Sequence, residues 1–152
     1  MQYWLFKSEP SAYAIDDLKR ERVGQWTGVR NYQARNLLRE ARVGDQVLFY
    51  HSSTAIPAAV GVAEVVREAY PDPTQFDTVS EYFDPKATKE NPRWSAVDIR
   101  YMSHFSSLVP LADMRQEKAL VDMPLLARGQ RLSVQPVTRA QFERVVAMGK
   151  GR

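Results

Sequence analysis

"AAVGVAEVVREAY", residues 58–70, follows Pro57 and reads as one long strand, with Gly61 marking a bend or bulge of the kind that curves a sheet. "WSAVDIRYMSHF" (94–105) is a second strand whose length again requires strong curvature. Upstream, "YWLFK" (3–7) is an aromatic-rich opening strand, and "QVLFYHS" (46–52) alternates Val47 and Phe49 with Leu48 and Tyr50. Downstream, "RLSVQPV" (131–137) carries Pro136, which restricts it to an edge or a strand end. Between these lie a short helix over 16–22 after Pro10, a helix over about 30–41, a Pro/Asp-rich excursion over 71–93 and a short helical piece over 112–118. The last helix starts at Thr138, where "TRAQ" forms a capping box with Gln141; Phe142, Val145 and Val146 share one side, and Gly149 ends it. Long bent strands joined by turns rather than by regular crossover helices predict an α+β fold. The expected form is a curved, nearly closed, mostly antiparallel barrel flanked by helices, in one domain spanning residues 1–152.

Composition bounds the class. With 44% hydrophobic and 26% charged residues mixed along the chain, neither a disordered nor a fibrous protein fits. No run approaches the roughly 18 apolar residues of a membrane span, and "MQYWLFKSEP" has no charged region ahead of its apolar stretch to make a signal peptide. The absence of cysteine suits a reducing cytoplasm and excludes disulfides, thiol catalysis and cysteine-ligated zinc. A cytoplasmic monomer without membrane association is expected. Net charge is only +3, but the basic residues divide into 15 Arg and 6 Lys. The guanidinium fork matches phosphates and base edges and stacks on aromatic rings, although a GC-rich genome produces the same bias.

The arginines gather in "WTGVRNYQARNLLRE", residues 26–40. At about 100° per residue, Ala34, Leu37, Leu38 and Ala41 form a buried face, and Arg35, Arg39 and Arg42 form a stripe beside it, suited to phosphates. The helix start near Arg30 and Asn31 offers free backbone N–H groups to an oxyanion. Trp26 stands two residues before Gly28 in a polar loop, an odd place for a core ring; there it is expected to stack on a planar base while Asn31 and Gln33 read the base edge. Capping by Asn31 and a merely solvated arginine face are the plainer alternatives. Trp4 and Trp94 sit within strand patterns and are expected in the core. Tyr50, His51 and Ser52, at a strand end, are candidates to line the same pocket.

Catalytic patterns are weaker. Pro71–Asp72 followed by Asp84, Pro85 and Lys86 formally fits a PD...(D/E)xK nuclease, two carboxylates for Mg2+ and a lysine for water; its second half belongs on a strand, yet Pro85 lies in a turn-rich loop. His51 beside Ser52 and Ser53 points to opposite strand faces and has no orienting carboxylate. His51 and His104 show no metal-ligand spacing. A binding module without cofactor or metal is therefore preferred to an enzyme.

The motifs "YWLFKSEP", "WTGVRNYQARN", "VLFYHS", "VGVAEVVREAYPD", "YFDPK", "PRWSAVDIR" and "RLSVQPVT" follow one another in the order and spacing of the EVE domain, which the whole chain resembles. That family falls in the PUA-like superfamily and is related to the YTH domains, readers of methylated adenine in RNA. The resemblance implies a PUA-like barrel and a pocket for a modified nucleobase, with modified cytosine in DNA as the leading ligand. An RNA- or tRNA-binding module and a metal-dependent nuclease are the alternatives. By position, the resemblance assigns the pocket to Lys7, Ser8, Glu9, Trp26, Val29, Arg30, Asn31, Tyr32, Arg35, Tyr50, His51, Ser52, Ser133 and Gln135.

Overall fold

Strand β1 (Tyr3–Ser8) organises the sheet. It runs parallel to β3 (Gln46–His51), from Tyr3 opposite Gln46 to Ser8 opposite His51, and antiparallel to β6 (Val134–Val137) on its other edge. With β2 (Val23–Trp26), β4 (Ala58–Pro71) and β5 (Ser95–Pro110), the strands form one mixed sheet in the order β2-β5-β4-β3-β1-β6. The helices are α1 (Ile15–Glu21), α2 (Tyr32–Leu38), α3 (Leu111–Arg115) and α4 (Arg139–Gly149). The computed structural model describes residues 1–151. Among them, no helix is long and apolar enough to cross a membrane.

Curvature arises where the long strands slip. The β4–β5 register shifts at Ala59/Gly61 and at three further points along the pair, and the β3–β4 register shifts at Phe49/Tyr50. Each shift bends the strand and increases its twist. At Gly61 a Cβ would lie 2.3 Å from the Ser103 carbonyl oxygen, so only glycine admits the close approach of β5.

The sheet is nevertheless open, a correction to the expected nearly closed barrel. Its terminal strands β2 and β6 do not pair with each other. β2 is only four residues long, and Pro136 has no N–H to offer a further strand. α2 packs against both β6 and β5, so a helix stands where a barrel would close. This helix is shorter than the expected 30–41, because Arg39 already caps it and the chain turns at Ala41.

Alternating side chains bury both faces of the sheet. Trp4, Phe6, Val47 and Phe49 join Trp26, Val29, Ala34 and Leu38 in one core. Leu5, Leu48 and Tyr50 join Met114, Leu120, Phe142 and Val145, the last two from α4, in the other. The capping box at the start of α4 forms as expected: Thr138 Oγ1 accepts from Gln141 N at 3.1 Å, and Gln141 Oε1 accepts from Thr138 N at 2.9 Å. Asp45 closes the N-terminal end by accepting from Gln2 N, Trp4 Nε1 and Arg42 N.

Candidate functional site

Because β1 and β3 are parallel, their C-terminal ends arrive side by side. Ser52 N donates to Ser8 O at 3.0 Å, and Lys7 N donates to Ser133 O at 2.8 Å, fastening the start of β6 to the same place. A cleft of about 520 Å3 opens there, within the usual range for small-ligand sites. Lys7, Ser8, Glu9, Ser52, Ser53 and Ser133 supply one side; Gln25, Trp26, Thr27, Gly28 and Val29 supply another; Tyr13, Glu81, Tyr82, Gln130 and Arg131 complete the rim. Ser53 is held at φ 51°, in the left-handed region that disfavours a side chain.

Trp26 differs from its expected setting. It ends β2 rather than lying in a polar loop, and only 5% of its surface is exposed. Its ring lies 5.2 Å from Phe6 and 5.4 Å from Phe49, with Tyr13 edge-on at 6.2 Å. It is a core residue whose edge reaches the floor of the cleft.

The polar groups of the Trp26–Arg39 segment mostly build a frame instead of a wall. Asn31 caps α2, its Oδ1 accepting from Ala34 N at 2.9 Å. Tyr32 stacks on Trp94 at 4.9 Å, Arg35 lies over Tyr32 at 4.8 Å, and Arg30 lies over Trp94 at 5.4 Å, a four-layer plate. Arg30 also donates to Asp72, Thr74 and the Tyr82 carbonyl, and Arg35 donates to the Arg93 carbonyl. The arginine stripe is broken up as well. Arg39 donates to Ser95 Oγ, and Arg42 lies beyond the helix and pairs with Glu68 at 3.3 Å. None of Arg30, Asn31, Tyr32, Arg35, Arg39 and Arg42 lines the cleft. Arg30 and Arg35 thereby tie the 71–94 excursion to the start of α2.

Asp72 is the anchor of that frame. Fully buried, it accepts from Thr74 N and Thr74 Oγ1 on one oxygen and from Gly28 N and Arg30 Nη1 on the other. These four bonds occupy the acceptor sites that a metal ion would need. Asp84 turns elsewhere, accepting from Trp94 Nε1 at 2.8 Å, and that bond first, then the Lys86 N–H, holds its carboxyl below the usual range. Among the described residues, no group of three or more His, Asp and Glu side chains is disposed to hold a metal.

At the end of β3 the three candidates separate. Ser52 lines the cleft. His51 faces α1, where its Nε2 accepts from Ile15 N at 3.1 Å, and burial pushes its pKa down. Tyr50 points through the opposite face into a neighbouring cavity. Gln135 is buried too, donating from Nε2 to Leu132 O, with its Oε1 unpaired among the described residues. Tyr13, Gln25, Thr27, Tyr82 and Gln130 are cleft residues that the sequence alone does not single out. Only the alternation of "VGQWT", with Gly24 taking a buried place, is available to signal Gln25 and Thr27.

Fold and cleft together define an open-sheet α+β module with one polar and aromatic cleft at the ends of its strands. The chain belongs to the EVE domain family, whose match spans residues 2–148. Thymocyte nuclear protein 1 of Gallus gallus is 41% identical over 165 aligned positions, covering 96% of this chain and 68% of that protein. A crystal structure of a Pseudomonas syringae protein superposes with a TM-score of 0.94 at 46% identity, covering 97% of this chain and 99% of that one. The human THYN1 protein, crystallised in complex with 5-methylcytosine-containing DNA, superposes with a TM-score of 0.93 at 36% identity, covering 100% of this chain and 99% of that one.

Proposed function

We propose that the protein is a nucleic-acid-binding module whose cleft receives a single modified base, a modified cytosine in DNA, extruded from its strand. One observation carries this reading: the 520 Å3 cleft combines aromatic surface from Tyr13, Trp26 and Tyr82 with short neutral polar groups from Ser8, Gln25, Thr27, Ser52 and Ser133. A nucleobase needs both, a π-face contact worth about 1–3 kcal/mol and hydrogen bonds to its edge. Glu9 and Glu81 at the rim suit cytosine, since a carboxylate accepts from its N4 amino group. A C5 methyl group adds apolar area that aromatic rings can cover. The likeness to the human THYN1 protein, solved with 5-methylcytosine-containing DNA, supports the same ligand class.

The role is binding, with no chemical step assigned to any residue. A titration panel tests it, using short single- and double-stranded DNA with cytosine or 5-methylcytosine at one position, and RNA of the same sequence. Tighter binding of the modified DNA, reduced by Gln25→Ala, is the expected outcome. Equal affinity for all strands overturns the base-reading role, and preference for RNA transfers it to the RNA alternative.

A further inference from the structure

A second cavity, of about 540 Å3, lies directly beyond the cleft. Lys7, Ser52, Ser53 and Gln130 line both, so the two share a wall. Their chemistry differs. The cleft is rimmed by Glu9 and Glu81 as well as Arg131, whereas the second cavity is lined by Lys7, Arg115 and Arg128 and by no carboxylate. Among the described residues, none of these three cations has an ion-pair partner, whereas Arg30 and Arg42 of the frame are ion-paired. Lys7 is held half-buried without a counter-ion, and desolvation pushes its pKa down. Arg115 stands near enough to Tyr50 to oppose the upward push of burial on the phenol.

Three unpaired cations around one concavity, one of them partly desolvated, leave the site short of negative charge. An oxyanion with several acceptor oxygens supplies it, and arginine forks suit phosphate geometry. We propose that this second cavity is a phosphate subsite, seating a phosphodiester of the same strand whose base enters the cleft, with Lys7, Arg115 and Arg128 as its cations and the Ser52–Ser53 wall between base and phosphate. The inference rests on the base-binding reading and adds the strand's path: from the cleft the backbone crosses Ser53 towards α3. A free base or nucleoside lacks the group that fills this cavity.

Arg115 and Arg128 are both exposed, so replacing them leaves the core intact. Binding of single-stranded DNA by the wild type and by Arg115→Ala/Arg128→Ala is compared across salt concentrations, together with thermal melting. The double variant is expected to melt as the wild type does and to bind cytosine and 5-methylcytosine strands more weakly by the same factor, about tenfold. Its log K against log salt slope should be shallower by about 0.7 for each phosphate no longer neutralised. Strands carrying one methylphosphonate linkage at successive positions identify which phosphate is seated. One linkage flanking the modified base should weaken wild-type binding and cost the double variant nothing further. Wild-type affinity and salt slope in the double variant overturn the subsite while leaving base preference untouched. Loss of base preference in the wild type itself is instead a failure of the cleft reading. Competition by inorganic phosphate with no sensitive methylphosphonate position assigns the cavity to a free anion and overturns the strand path.

Discussion

Arg30 Nη1 lies 3.0 Å from Asp72 Oδ2, and the same carboxylate oxygen accepts from Gly28 N at 2.8 Å, so one buried acid fixes the loop under the cleft and the guanidinium beside it. Removing one partner of a buried ion pair typically costs about 3–5 kcal/mol, because the other charge is left desolvated. Asp72→Ala is therefore expected to lower unfolding free energy by about that amount and to weaken oligonucleotide binding. Denaturant titration measures the first effect; a loss under about 1 kcal/mol contradicts the anchor role.

Trp26 supplies a second expectation. Its ring packs among Phe6, Phe49 and Tyr13, so Trp26→Ala is predicted to cost about 3–5 kcal/mol of stability. Trp26→Phe keeps most of the packing and should melt closer to the wild type. An alanine variant that melts normally shows the ring to be dispensable to the core.

Gly28 holds φ at 85°, and a Cβ there would meet the Tyr82 ring at 2.8 Å. Gly28→Ala is expected to push Tyr82 away from the cleft and to cost about 1 kcal/mol in backbone strain. Binding should suffer more than melting temperature. Unchanged affinity in this variant removes Tyr82 from the site.

His51 makes stability depend on pH. Its folded pKa is lowered from the ordinary 6.5, chiefly by burial and also by His104, with Asp16 acting in the opposite direction. The unfolded chain therefore binds the proton more readily. The contribution of His51 is complete above about pH 6.5 and is lost as pH falls through the lowered folded value. Wild type should lose more stability than His51→Gln between about pH 7.5 and 5.5, as read by urea unfolding at each pH. Parallel pH profiles for the two proteins exclude His51 as the titrating group.

How legible the molecule is in its sequence depends on the period of each element. Strands β1, β3, β4 and β5 declare themselves through β-branched and aromatic alternation, and α4 through its capping box. β2 escapes because one of its two inward positions is Gly24, which has no apolar side chain to carry the period. Trp26 consequently reads as a loop residue although it ends a strand. Partners of the arginines are equally invisible: Arg30 meets Asp72 and Tyr82, and Arg35 meets Arg93, across the excursion. Tyr13, Tyr82 and Gln130 reach the cleft from loops and turns, whose positions no periodicity encodes.

The position of β1 between β3 and β6 also sets the order in which the domain can be completed during synthesis. β1 leaves the ribosome before both of its neighbours: the parallel one follows at Gln46–His51 and the antiparallel one only at Val134–Val137. Until the latter arrives, the apolar run Trp4, Leu5 and Phe6 presents an unpaired edge, the kind of surface that invites association with other chains. Closing that long loop is entropically slow. Nascent chains halted before residue 134 should accordingly be the aggregation-prone species of this protein, and a chaperone that shields the first strand should act on them.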